Sequence, residues 1–302
     1  MRLPVLSPFR LDLTVDALRR LAANVVDVVA PDGTFYRALR DERGTAMVAI
    51  RVNDSRSIEV RATGRDAERW LPWVERMLGT QVDLREWYAR SAGIGWLHAL
   101  ATDLKGLKPP RYPSAWEACA HAVVFQQISI HAAAAIMRRL VELLSEPLTV
   151  GDVRCFPFPD PLQWLAAGES ALRAAGLSQN KVAHLRSAAA AFSDGTIRES
   201  ALATLSTPQV ADELAQIRGI GPWSAAVVSL RGLGRLDTFP QRDSGVARSV
   251  ALLAGTSVNL DEVLAALGPT RGMLYFHLLL GRLRQPPAGR NQRRVSPVEG
   301  GV

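Results

Sequence analysis

The chain reads as mainly α-helical with a small antiparallel α+β domain at its N-terminus, and three observations predict this. Up to about residue 88, short strand-like runs (FRLDLTV, AMVAIRV and SIEVRATG) alternate with helix-like runs at 15–23 and 66–78. From 89 to 284 the apolar spacing is helical, strand runs nearly vanish, and Pro or Gly punctuates the segments. The last stretch, 285–302, is rich in Pro, Gly and Arg and has no periodicity, which reads as a basic disordered tail.

Taken in order, Asp32-Gly33 and Asn53-Asp54 are the turn signals that separate strand-like runs in the first 88 residues. The stretch 114–144 is apolar and rich in small residues, a core helix interrupted only by the polar pair Gln126-Gln127. Further on, Thr207 is a good N-cap and Pro208 a good first helical residue, so a helix runs from there to Ile217. Pro222 starts another helix for the same reason. The four residues Arg218-Gly219-Ile220-Gly221 therefore join two helices.

Composition narrows the function classes. With 302 residues the chain can bury a sizeable core, and 48% hydrophobic residues fit a globular protein. Lys and Arg number 36 against 29 Asp and Glu, a net charge of +7, and the isoelectric point near 10.1 favours a polyanionic partner such as nucleic acid or an acidic membrane surface. Only Cys119 and Cys155 are present, which excludes a disulfide framework and a four-thiolate zinc or iron–sulfur site. The histidines at 98, 121, 131, 184 and 277 have no metal-ligand spacing. Pro4, Pro8, Arg10 and Asp12 interrupt the N-terminus where a signal peptide needs an apolar run, so a soluble cytoplasmic location is expected.

The link Arg218–Gly221 carries the first functional signal. Two glycines two apart allow positive φ and close backbone approach, and the helix that follows presents its free N–H groups and positive dipole end. A helix-hairpin-helix of this kind grips a DNA backbone without reading sequence. The phosphate-binding candidates are Arg218, Gly219, Ile220, Gly221 and Ser224. A tight turn between packed helices explains the glycines equally well when they are considered alone.

The flanking chain tips the balance. From Leu214 to Arg248 it resembles the helix-hairpin-helix DNA glycosylase superfamily, in particular its alkylation-repair branch. The likeness extends to Pro8-Phe9 with a first strand, Tyr36-Arg37-Ala38-Leu39-Arg40, Gly106–Arg111 and Gln126-Gln127-Ile128-Ser129. It implies an N-terminal α+β domain (1–88), a helical lobe with the hairpin (114–236), and a second lobe made of 89–113 and 237–284. The expected catalytic residue is Asp243, twenty residues beyond Trp223 in the cleft between the lobes. Without that context Asp243 reads as the N-cap of the helix that follows, a role compatible with catalysis.

The resemblance assigns further roles. Trp223 stands where lyase-type relatives carry a Schiff-base lysine, which implies a monofunctional hydrolase with Trp223 as a face for an electron-poor base. Gln127 falls at the position of the wedge that fills the gap left by a flipped base, with Gln126 beside it. The hairpin carbonyls of Ile217 and Gly219 are the implied seat of a Na⁺ or K⁺ ion, and no other cofactor is expected. Lys181 reads as a solvated or phosphate-contacting residue, and His277 as an interior histidine. Three pocket positions depart from the best-known relative in that branch: Val227 and Leu279 are aliphatic where it is aromatic, and Phe125 replaces a small residue. The expected function is hydrolytic removal of 3-methyladenine and 7-methylguanine from double-stranded DNA by a monomer, with weak action on hypoxanthine. The rivals are a non-catalytic binder of damaged or bent DNA and a glycosylase of the oxidised-base or mismatch branch. Asp243 argues against the first of these; Trp223 and the missing cysteine set argue against the second.

Overall fold

The structure, a computed structural model, describes residues 1–64 and 66–284; the tail expectation for 285–302 lies outside the described residues. Five antiparallel strands form one sheet in the order β1-β5-β4-β3-β2: β1 (Arg2–Pro4), β2 (Asp27–Val29), β3 (Phe35–Asp41), β4 (Gly44–Asp54) and β5 (Ser57–Ala62). The Asp32-Gly33 turn joins β2 to β3, with Asp32 Oδ1 accepting from the Thr34 N–H at 3.0 Å. The expected Asn53-Asp54 turn falls one step later: these two residues end β4, and Ser55-Arg56 make the turn to β5, with Asp54 Oδ1 accepting from the Arg56 N–H.

One strand expectation fails. FRLDLTV is not extended; α1 (Leu11–Arg19) runs through it. The helix is wedged between two hydrophobic cores. Leu11, Val15 and Leu18 enter the first, while Leu13 and Ala17 enter the second. Two apolar stripes on one helix mimic the alternation of a half-buried strand.

The helical part begins with α2 (Leu71–Leu78), α3 (Arg85–Ser91) and α4 (Gly95–Asp103). The apolar stretch from 114 then divides into α5 (Ala115–Phe125) and α6 (Ile130–Leu144), parted at Gln126–Ser129. A two-stranded hairpin absent from the expectation follows, β6 (Leu148–Val150) with β7 (Val153–Cys155), turning at Gly151 with φ +56°. Next come α7 (Pro161–Ala166), α8 (Glu169–Ala174), α9 (Gln179–Ser193) and α10 (Glu199–Thr204). The hairpin helices are α11 (Thr207–Ala215) and α12 (Pro222–Arg231). Ser206, not Thr207, caps α11 through a capping box with Gln209, because the extended conformation of the cap falls one residue earlier. The chain closes with α13 (Ser244–Ala254), α14 (Leu260–Leu267) and α15 (Gly272–Leu283). No single helix among the described residues is long and apolar enough to cross a membrane.

Two cores organise these elements. The sheet and α2 share the first core with α5, α9, α11 and α12; Val48, Ile50, Trp70, Val123 and Leu214 are buried within it. The N-terminal domain thus has no separate interior. The second core gathers α3, α4, α13, α14 and α15 around Trp87, Leu97, Leu267 and Phe276. Because α3 starts at Arg85 and places Trp87 in that core, the chain passes to the second lobe a few residues before 89.

His277 lies in the second core. Its Nδ1 is 2.9 Å from the Met273 carbonyl, its ring packs on Trp87 with centroids 4.6 Å apart, and burial pushes its pKa down to about 4. A free imidazole titrates near 6.5, so between these values the unfolded chain binds a proton that the folded chain refuses. The stability associated with neutral His277 is complete above pH 6.5 and is lost as pH falls towards 4. Urea unfolding at pH 7.5 and pH 5 should therefore show His277→Leu losing about 2 kcal/mol less than the parent on acidification. An identical loss in both proteins would contradict this account.

Candidate active site

A cavity of about 700 Å³ opens between the two cores, bounded by the α5–α6 loop, the N-termini of α12 and α13, the end of α1, and α15. It is the size of a small-ligand site. Among the described residues three non-glycines have positive φ: Arg20 (63°), Gln127 (58°) and Arg242 (56°). All three line this cavity. Such backbone conformations cost on the order of 1–3 kcal/mol each and persist where the surrounding structure enforces them.

The hairpin turn is built from short-range bonds. The Ile217 N–H donates to the Leu214 carbonyl at 3.1 Å, and the Ile220 N–H donates to the Ile217 carbonyl at 3.0 Å. Gly219 takes φ +88°, and a Cβ there would fall 2.2 Å from the His184 ring. Gly221 caps α12 in an extended conformation with Pro222 as the first helical residue, so the N–H groups of Trp223 and Ser224 have no helical partner. Arg218 is exposed beside them.

Several sequence expectations are corrected at this point. Gln126 is not a wedge: its Nε2 donates inward to the Gly219 carbonyl at 3.0 Å and to Ser224 Oγ at 2.8 Å. Ser224 is buried with its Oγ accepting from Gln126, and Ile220 is a core side chain with its N–H spent on the turn. At the expected cation seat the Ile217 carbonyl accepts from the Ile220 N–H and the Gly219 carbonyl from Gln126 Nε2, which leaves each oxygen one lone pair. No group of three or more His, Cys, Asp or Glu among the described residues is placed to hold a metal ion. Arg218, Gly219, Gly221 and the first turn of α12 remain as candidates for the expected phosphate contact.

Lys181 has a positional role that its sequence context did not reveal. Its Nζ donates to the Val124 and Gln126 carbonyls at 2.7 and 2.9 Å, closing the C-terminus of α5, and burial lowers its pKa. Gln127 follows immediately, exposed on the lip of the cavity beside Ile128.

Asp243 is both N-cap and cavity residue. Its Oδ1 accepts from the Gly245 and Val246 N–H groups at 2.7 and 3.1 Å, and its Oδ2 accepts from Trp223 Nε1 at 3.0 Å. Three donors from two helices thus fix one carboxylate. Trp223 offers its ring to the cavity while its N–H is committed to Asp243.

The remaining walls are Phe125, Val227, Leu279 and Tyr275. His121 forms part of the floor, stacked on Tyr112 with centroids 4.3 Å apart. Burial, reinforced by the guanidiniums of Arg20, Arg231 and Arg37, holds His121 well below the usual imidazole range. The Arg20 guanidinium lies 4.3 Å over the Phe125 ring. Arg20, Tyr275 and Arg282 are cavity residues the sequence did not flag. The one local hint for Arg20 is a helix that ends in LRRL, with no Gly or Asn where the chain must adopt positive φ.

Comparison with known proteins gives a consistent picture. Residues 120–267 match the HhH-GPD superfamily, base excision DNA repair proteins. A DNA-3-methyladenine glycosylase of Bacillus subtilis is 22% identical over 234 residues, covering 75% of this chain and 77% of that protein. DNA-3-methyladenine glycosylase 2 of Escherichia coli is 31% identical over 153 residues, 48% of this chain and 50% of that one. The chain spans about half the length of several curated relatives it matches. Among solved structures, a 3-methyladenine DNA glycosylase from Archaeoglobus fulgidus superposes with a TM-score of 0.79 at 24% identity, covering 93% of this chain and 98% of that one, which establishes a common fold.

The two hairpin glycines should behave differently on substitution. Gly219→Ala forces a side chain onto His184 at positive φ and is expected to cost about 1–3 kcal/mol in thermal unfolding. Gly221→Ala meets open space at φ −95° and should cost less than about 0.5 kcal/mol. Equal losses would show that the turn tolerates a Cβ at Gly219.

Proposed function

From the premise that residues 120–267 are an HhH-GPD base excision DNA repair domain, we propose that this chain is a monofunctional DNA glycosylase. It hydrolyses the N-glycosidic bond of alkylated purines, 3-methyladenine and 7-methylguanine, in double-stranded DNA, and acts as a monomer. The observation that carries the reading is the Asp243 carboxylate, fixed by Trp223 and the start of α13 on the wall of a base-sized cavity.

The chemistry follows from that placement. As the C1′–N bond breaks, its electron pair leaves with the base and positive charge develops on the deoxyribose. A carboxylate about 4 Å from that charge contributes roughly 4 kcal/mol at an effective dielectric near 20. This corresponds to about three powers of ten in rate. Asp243 also orients the water that adds to C1′ and accepts its proton, leaving free base and an abasic sugar. The target base must first leave the stack; Gln127, exposed on the lip, fits the gap it vacates. The α12 N-terminus and Arg218 hold the backbone beside it.

Lysines are scarce. The sequence contains three: Lys105 is exposed at the end of α4, and Lys108 and Lys181 donate to backbone carbonyls. None of them lines the cavity, which supports simple hydrolysis over lyase chemistry.

Incubation with methylated duplex DNA and chromatography of the released bases tests the reading directly; DNA binding without release would favour a non-catalytic binder. Asp243→Asn keeps an oxygen for the α13 cap and should lower single-turnover excision by about two to four orders of magnitude with DNA affinity retained. Undiminished release would remove Asp243 from the mechanism. Borohydride added during excision should trap no protein–DNA adduct, and a trapped adduct would overturn the monofunctional assignment.

A further inference from the structure

Arg20 is an unusual residue to find on the wall of a pocket meant for cationic bases. It ends α1 at φ 63°, a conformation that a long side chain adopts at a cost, and its guanidinium lies over Phe125 inside the cavity. Among the described residues it has no salt-bridge partner within 4.0 Å, and its Nε is buried without a hydrogen-bond acceptor. The groups around it are the phenols of Tyr112 and Tyr275, the latter within hydrogen-bonding reach, the carboxylate of Asp243, and the like charge of Arg231 beside the His121 ring. A strained, half-buried cation whose Nε lacks an acceptor is arranged to meet one that arrives with the substrate.

We propose that Arg20 is a specificity-determining residue that donates to the exocyclic oxygen of a flipped 6-oxopurine. The inference rests on the glycosylase reading of the same site and names the substrate class within it. An amino group at C6, as in 3-methyladenine, presents N–H donors to N–H donors and leaves both unsatisfied. A carbonyl oxygen at C6, as in 7-methylguanine or hypoxanthine, accepts from the guanidinium. For hypoxanthine the effect extends to the bond-breaking step. The C1′–N9 bond breaks with its electron pair going to the neutral base, the negative charge spreads onto O6 beside Arg20, water adds to C1′, and the proton it releases neutralises the departing anion. This reverses the weak hypoxanthine activity expected from Val227 and Leu279. Those two positions govern stacking, whereas Arg20 governs the charge and hydrogen-bonding of the leaving base.

The test compares single-turnover excision of hypoxanthine, 7-methylguanine and 3-methyladenine from matched duplexes by the parent and by Arg20→Gln. The ratio of hypoxanthine to 3-methyladenine rates should fall about 10- to 100-fold in the variant, and the 7-methylguanine ratio should fall in the same direction. Arg20→Gly, which also relieves the positive φ, should reproduce the change in ratio, and a thermal melt confirms that it folds. Equal loss on all three bases would overturn the proposal, because Arg20 would then act through the fold. Weaker binding to undamaged duplex with unchanged ratios would also overturn it, by assigning Arg20 to a phosphate. A parent protein that releases none of the three bases would instead fault the glycosylase reading itself.

Discussion

The fold turns on one buried ion cluster where the sheet meets the first helical lobe. Arg37 on β3 donates to Asp27 on β2 at 2.5 Å and to both carboxylate oxygens of Glu117 on α5 at 2.6 Å, all three side chains being buried. Burial pushes the Glu117 carboxyl up, to about 7, and the attraction of Arg37 pulls it back. Ions taken so far from water contribute little net stability when paired, yet losing one partner strands the others, which makes the cluster a strict constraint on geometry. It pins α5 to the sheet, and the end of α5 carries Phe125 and Gln126 to the cavity.

From α5 the constraint passes to the hairpin. Lys181 closes the carbonyl end of the helix, Gln126 reaches from there to Gly219 and Ser224, and His184 fills the space that Gly219 leaves open. The turn that faces DNA in the proposed function is therefore supported from within by polar contacts. A half-buried amide that satisfies both a turn carbonyl and a hydroxyl fixes the turn more tightly than apolar packing alone. On the other side, Trp223 extends the same rigid unit to Asp243 and ties α12 to α13. The carboxylate is thus positioned by both lobes, and closing the cleft and aiming Asp243 are one structural event.

The strained residues mark the same place. Arg20, Gln127 and Arg242 come from three distant parts of the chain and converge on one cavity, each held at a positive φ that local sequence does not favour. Strain gathered at a single site suits the pre-organisation that the proposed function asks for, with one residue on the lip of the cavity, one beside the carboxylate and one over Phe125.

Much of this was legible in sequence because it is local. Pro222 after Gly221 starts a helix, Gly219 supplies a turn, and Asp243 before Ser244-Gly245 is a cap; each depends on backbone sterics within a few residues. SIEVRATG was readable because buried Ile58 and Val60 alternate with wetter residues, and AMVAIRV because its apolar run is buried on both faces, at Ala46, Met47, Val48 and Ile50. What tertiary structure alone decided concerns residues whose partners lie far away. FRLDLTV became a helix because it sits between two cores, Gln126 turned inward because a carbonyl 93 residues on needed a donor, and Arg20 reached a pocket whose carboxylate comes from the other end of the chain. A local pattern records which side chains avoid water. It does not record which of two cores, or which distant acceptor, will receive them, and that choice is made only when the lobes close.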